Sequence, residues 1–188
     1  GSSLSDGCGN ILNCYNNCPI SVTKKVMVLN FDPIIEIRNS KRLSELYFLN
    51  PHDIVENTIQ DMTEASEGDL TYNVVNWVDV DAFPKKIDGF IYTDEQYVNA
   101  WETTRIFHVP DNVNYNLILE QYNICEKLNN GEIDELWLWG APYFGYWEST
   151  LAGPNGFYLN SGPITGTTCN KLLPIMGGSY ERGDSPLH

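Results

Sequence analysis

Carboxylates recur in this chain directly after short apolar runs. Asn30 stands near the end of the run Val26–Phe31 and Asp32 follows it, and Asp79 and Asp81 follow Leu70–Val78. Glu148 closes the aromatic segment that follows Trp137-Leu138-Trp139, and Glu181 and Arg182 follow the run Lys171–Met176. Hard cations favour oxygen ligands, so Asp32, Asp79 and Asp81 form a candidate metal set, with calcium or magnesium as the cofactor it would hold. Two carboxylates with separated pKa values can act as acid and base in glycoside or ester hydrolysis, which makes Asp32, Glu148 and Glu181 the catalytic candidates. Arg182 can clamp an anionic ligand, or simply pair with Glu181 or Asp184. The plainer alternative is that these acids cap helices and face water.

The densest aromatic stretch runs from Trp137 to Trp147. Sugar rings stack on Tyr and Trp faces, and nearby carboxylates and amides bind the hydroxyls. This reading makes Tyr143, Tyr146 and Trp147 a platform, with Asp79, Asp81, Asn160 and Arg182 as further ligand contacts. Against it, Trp137 and Trp139 sit on an apolar run and are expected to pack in a core. Other chemistries find little support. There is no G-x-S-x-G elbow, no H-E-x-x-H pair among His52, His108 and His188, and no Walker A or G-x-G-x-x-G loop.

The elements that must position these residues read as α/β. The run Val26–Phe31 has the continuous apolar character of a buried parallel strand. A helix should follow, with Asn50 as its cap, Pro51 in its first turn and Gly68 as its stop. Leu70–Val78 reads as the second strand. Residues 85–110 read as an excursion with helical pieces. A second helix, capped by Asp111, carries the stripe Tyr115, Ile118, Leu119, Tyr122, Cys125 and Leu128. Ile133–Trp139 is the third strand, and Lys171–Met176 supplies the last apolar run. The pattern predicts a mainly parallel sheet with flanking helices, Rossmann-like or flavodoxin-like. Ligands then bind beyond the carboxyl ends of the strands, where the acids lie. Residues 1–24, rich in Gly, Ser, Asn and Cys, read as an irregular linker or arm, and residues 25–188 as one α/β domain.

Composition excludes several partners. The 188 residues carry 25 acidic and 11 basic side chains, a formal charge of −14. No basic face is available for a phosphate backbone, so nucleic acid is not an expected partner. No run approaches the roughly 18 apolar residues of a spanning helix, so membrane insertion is not expected either. With 42% hydrophobic residues, the chain can bury a core. A charged fraction of only 19% leaves the surface to Asn, Tyr and other neutral polar groups, as is usual for secreted proteins.

Cys8, Cys14 and Cys18 match no common zinc spacing and have no His beside them. A small disulfide-stapled arm, free thiols and a metal site all remain readings of that segment. Cys125 falls on an apolar helical position and is expected to be a buried free thiol.

The text Asp134-Glu-Leu-Trp-Leu-Trp-Gly-Ala-Pro-Tyr-Phe-Gly-Tyr-Trp-Glu-Ser149, then Ala152-Gly-Pro154, Phe157–Asn160 and Tyr180-Glu-Arg-Gly183, resembles an uncharacterised family of secreted bacterial and fungal proteins. With Tyr72–Pro84, the resemblance covers roughly residues 25–183. It implies an extracellular location and no particular reaction. Family members continue past the Tyr-Glu-Arg-Gly segment, so a tail that completes a site would leave the site incomplete in this chain. The sequence therefore leads to an extracellular domain that binds or acts on a polysaccharide or cell-wall glycan. A metal-dependent hydrolase and a non-catalytic interaction module of a larger surface protein are the alternatives.

Overall fold

The computed structural model describes residues 21–181, together with two short strands, β1 (Leu4–Ser5) and β2 (Ile11–Leu12), which pair antiparallel. Cys8, Cys14, Cys18 and Arg182 lie outside the described residues.

The first long strand is β3 (Val22–Phe31), an interior strand of the main sheet, which reaches into the stretch read as the arm. Val26, Met27, Val28 and Leu29 are all buried. Burial of consecutive residues means that both faces are covered, as the continuous apolar run predicts. A small hairpin follows, β4 (Ile34–Ile35) with β5 (Lys41–Arg42). Helices α1 (Leu43–Tyr47) and α2 (Pro51–Ala65) come next. The α2 cap is as expected: the Asn50 side chain accepts from the His52 N–H, and Pro51 opens the first turn.

Strand β6 (Leu70–Val80) runs parallel to β3, with an irregularity in register between Val26 and Met27. The excursion holds α3 (Asp94–Asn99), which continues into a π-helical turn over Ala100–Thr104. Strands β7 (Glu135–Gly140), β8 (Ser149–Ala152) and β9 (Leu173–Ser179) complete the sheet. Its order is β6-β3-β7-β9-β8, all parallel except the antiparallel edge strand β8. The α/β expectation holds. The sheet nonetheless departs from a doubly wound order at its far edge, where β8 packs against a later strand. β8 has four residues in a Gly- and Pro-rich stretch, too short for an alternation to register.

The two faces have different covers. β3 pairs Val28 with Trp77, so these side chains share one face, and Trp77 stacks on His52 of α2 at 3.9 Å between ring centroids. Phe31 points to the other face and meets Tyr122 edge-on. Tyr122 ends α4 (Tyr115–Gln121), and α5 (Ile124–Asn129) follows it.

The expected single helix is therefore two. Asn123, with φ +52°, breaks it, and α4 is capped by Asn114 and not by Asp111. Among the described residues no helix is long and apolar enough to cross a membrane.

Cys125 is not a free thiol. It is bonded to Cys169, 44 residues away, and the bond anchors the long loop between β8 and β9 to α5. The apolar helical position reported only burial, and the partner lies on a loop with no periodicity. Hydrogen bonds reinforce the anchor: the Asn170 N–H donates to the Asn129 side chain, whose amide donates to the Thr168 carbonyl. Closing a loop of this length stabilises the fold by roughly 4 kcal/mol. The double variant Cys125→Ser/Cys169→Ser should lose about that much in chemical denaturation, with little change in the far-ultraviolet spectrum.

Candidate functional site

The chain leaves β3 toward β6 and later returns to place β7 on the other side of β3. That reversal opens a crevice at the carboxyl ends of β3 and β7, the usual ligand position in such sheets. Two clefts lie along this edge.

The first, ≈ 340 Å³, is bordered by Tyr143, Tyr146, Glu148, Glu181 and Asp111, with Gly177 and Gly178 in its wall. Its shape begins with Gly140 at the end of β7. A Cβ there would meet the Phe144 ring at 2.5 Å, so only glycine lets Phe144 fold back into the core. Phe144 then packs on Phe83 and Tyr97. The Tyr97 hydroxyl donates to the Pro142 carbonyl at 3.0 Å. Tyr143 is left at the rim in the left-handed region, φ +64°. It is 45% exposed, with one ring face stacked on Phe107 at 3.6 Å.

A buried cation holds this loop. The Lys86 side chain has no exposed surface, and its Nζ donates to Asp111 Oδ1 at 2.5 Å and to the Tyr143 carbonyl at 2.6 Å. Burial pushes the Lys86 ammonium below its ordinary value, and Asp111 pulls it partly back.

Glu148 is fixed less tightly. Its N–H donates to Asn160 Oδ1 at 3.2 Å, and the Asn160 amide donates to its carboxylate at 3.4 Å. Glu181 is exposed beyond the end of β9. Glu148, Glu181, Tyr143 and Asn160 are thus placed at or beside one edge of the sheet.

Other expectations change. Tyr146 does not present an open face. Its hydroxyl is buried without a hydrogen-bond partner among the described residues, and its ring packs on Phe31 and Phe144. Burial, then the neighbouring Tyr115 and Tyr122, hold its phenol well above the ordinary value. Tyr146 therefore supports the cleft from beneath. Trp147 is 39% exposed, and its backbone N–H donates to the Tyr115 hydroxyl. Trp137 and Trp139 are core residues, as their position on the strand predicted.

Asp32, Asp79 and Asp81 do not converge as a metal set, and among the described residues no group of three or more acids, His or Cys is placed to hold a metal ion. Asp32 is buried, and its two oxygens accept from the Ser44 N–H and the Ser44 hydroxyl. Asp79 Oδ1 accepts from the Asn30 amide and the Trp77 indole, both at 2.8 Å. β6 ends at Val80, so alternation does not carry Asp81 onto the same face, and its carboxylate accepts from the Ile34 N–H. Asp32 and Asp79 instead line the second cleft, ≈ 400 Å³, beside Arg42, Ser44 and His52.

Burial raises the Asp32 carboxyl above its ordinary value, against the lowering pull of Ser44 and Arg42. For Asp79, burial also pushes upward, but the Asn30 and Trp77 donors bring the net shift below the ordinary value.

The sequence reading missed Lys86, Asp111, Arg42 and Ser44 as parts of this edge, whereas Tyr180 follows the last apolar run together with Glu181. The Tyr180 hydroxyl lies within hydrogen-bond distance of Asn30 Oδ1 and of the Phe31 carbonyl, which share its single proton. None of the missed residues sits in a periodic pattern. The one available signal was that Lys86 is a scarce cation in an acidic chain. No protein-family model, curated protein or solved structure matches the chain.

Two outcomes follow. Lys86→Met keeps most of the stem volume but removes the donor to Asp111 and Tyr143. Stability should fall by roughly 2 kcal/mol, the loss of hydrogen bonds from a charged donor whose partner Asp111 stays partly exposed, and the Tyr143 ring should gain mobility in NMR relaxation. For Asp32, the folded state binds its proton more tightly than the unfolded chain does. Its contribution is therefore favourable at low pH and is lost as pH rises from the ordinary value of 3.8 through the raised folded value. Asp32→Asn should remove that component, which is read by comparing the slopes of stability against pH from 4 to 7.

Proposed function

We propose that this domain binds an uncharged, hydroxyl-rich glycan chain, a polysaccharide or cell-wall glycan, outside the cell. The observation that carries the reading is the half-exposed Tyr143 ring, held by Phe107 and Lys86 over a cleft edged by Glu148, Glu181 and Asp111. A rigid aromatic face offers a sugar ring a stacking surface at low entropic cost, and carboxylates accept hydroxyl hydrogen bonds. A phosphorylated or sulfated chain would meet three carboxylates, and among the described residues the cation beside them, Lys86, is buried and already paired. The Cys125–Cys169 bond supports an oxidising, extracellular setting.

Glycoside hydrolysis is the second reading, favoured by the presence of two carboxylates, Glu148 and Glu181, on the same cleft. In it one protonates the leaving oxygen while the other activates water or attacks the ring.

Affinity electrophoresis in a panel of soluble neutral polysaccharides tests the binding. Retardation by at least one glucan, mannan or chitin derivative is expected. Tyr143→Ala should weaken it about tenfold, equivalent to ~1.4 kcal/mol, and Glu181→Gln should weaken it less. No retardation by any member, or retardation unchanged in Tyr143→Ala, would sink the proposal and leave the interaction-module reading. Release of reducing ends from a retarding polysaccharide, abolished in both Glu148→Gln and Glu181→Gln, would establish the hydrolase.

A further inference from the structure

The second cleft is built differently from the first. It lies between the ends of β3 and β6 on one side and α1 with the first turn of α2 on the other. Its floor is polar yet closed to solvent: Asn30, Asp32 and Ser44 are 2%, 2% and 5% exposed. Sinking three polar side chains at one point costs free energy that an apolar floor would not, and each is held by hydrogen bonds to a neighbour.

The groups above that floor keep spare capacity. Asp79 uses one oxygen for both Asn30 and Trp77, so Oδ2 accepts from no described residue. Arg42 gives one N–H to the Asp32 carbonyl, and its remaining donors have no partner among the described residues. The Asn50 amide nitrogen and the exposed Glu45 carboxylate likewise have no hydrogen-bond partner among the described residues. Phe48 and Pro51 add apolar wall, and the His52 ring is fixed by its stack on Trp77.

We propose that this cleft is a second binding site, taking a single amine-bearing, hydroxyl-rich ring, that is, an amino sugar. Spare donors and spare acceptors side by side suit hydroxyl groups, which both give and accept hydrogen bonds. Apolar walls suit the C–H faces of a sugar ring. Charge chooses the substituent: Asp32, Asp79 and Glu45 face one guanidinium, so an ammonium group is favoured at this rim and a carboxylate is repelled. The lowered Asp79 keeps an ionised acceptor available across the neutral range.

The site goes beyond the aromatic cleft and shares no lining residue with it. It therefore stands or falls separately.

The test is a two-dimensional ¹H–¹⁵N NMR titration of the full chain with glucosamine, glucose and glucuronate. Saturable shifts are expected on the Asn30 and Asn50 side-chain amides and on the Trp77 indole N–H, with glucosamine tightest and glucuronate weakest. Asp79→Asn and Glu45→Gln should each weaken glucosamine about threefold, as loss of a partly exposed charge pair does, and leave glucose nearly unchanged. Glu45 is exposed on α1, so its variant keeps the fold should Asp79→Asn disturb it. Tyr143→Ala should leave all three titrations as they are, whether or not polysaccharide binding survives. Glucuronate binding tighter than glucosamine would overturn the assignment, and so would an absence of saturable shifts at those three probes.

Discussion

One fully buried ammonium group sets the rim of the aromatic cleft. Lys86 lies in the excursion between β6 and α3, far in sequence from the loop it holds. Its Nζ joins Asp111, on the approach to α4, to the carbonyl of Tyr143, just beyond β7. Three separate segments therefore meet at one charge. A Cβ on Gly145 would fall 2.9 Å from that Nζ, so the small residue after Phe144 is part of the same arrangement. Burying a lone cation is costly, and the cost is offset only when its partners are well placed. The left-handed backbone at Tyr143, unusual for an aromatic residue, persists because this contact and the Phe107 stack both hold it.

A second hub connects the two clefts without merging them. Tyr180 is fully buried just beyond β9, and its hydroxyl proton is shared between Asn30 Oδ1 and the Phe31 carbonyl at the end of β3. It thus crosses beneath the end of β7. On one side lies the aromatic cleft, and on the other the polar one. Asn30 passes the connection on, because its amide donates to Asp79. The carboxyl edge of the sheet is consequently a chain of hydrogen bonds from the end of β9 through β3 to β6.

How much of this was legible in the sequence depended on periodicity. β3 announced itself by a run buried on both faces, and α2 by Asn50 and Pro51. Both signals are local, so both survived. The break at Asn123 was not legible, because the apolar stripe continues across it with unchanged spacing. The trio Asp32, Asp79 and Asp81 failed for a related reason. Alternation along a strand predicts sides only while the strand lasts, and β6 stops before Asp81. Tyr146 and Tyr143 look alike in sequence and differ by three positions, yet one is drawn inward by Phe31 and the other is turned outward by Phe107. Such choices are made by long-range packing that no single-chain pattern carries.

The acidic charge takes on a different meaning in this light. Several carboxylates are spent on the backbone: Asp81 accepts from the Ile34 N–H, Asp94 from Glu36 and Asp134 from Lys25. These acids do in loops and at strand ends what caps do for helices. Asp32 does the same for the start of α1, from a buried position. Of the carboxylates that line the two clefts, Asp32 has both oxygens taken by Ser44, whereas Glu148, Glu181 and Asp111 on one cleft and Glu45 and Asp79 on the other each keep an oxygen that no described residue donates to. A net charge of −14 is therefore a poor guide to the site by itself. The guide is which acids both line a cleft and keep an oxygen that no donor among the described residues has taken, and both clefts lie where the parallel strands end.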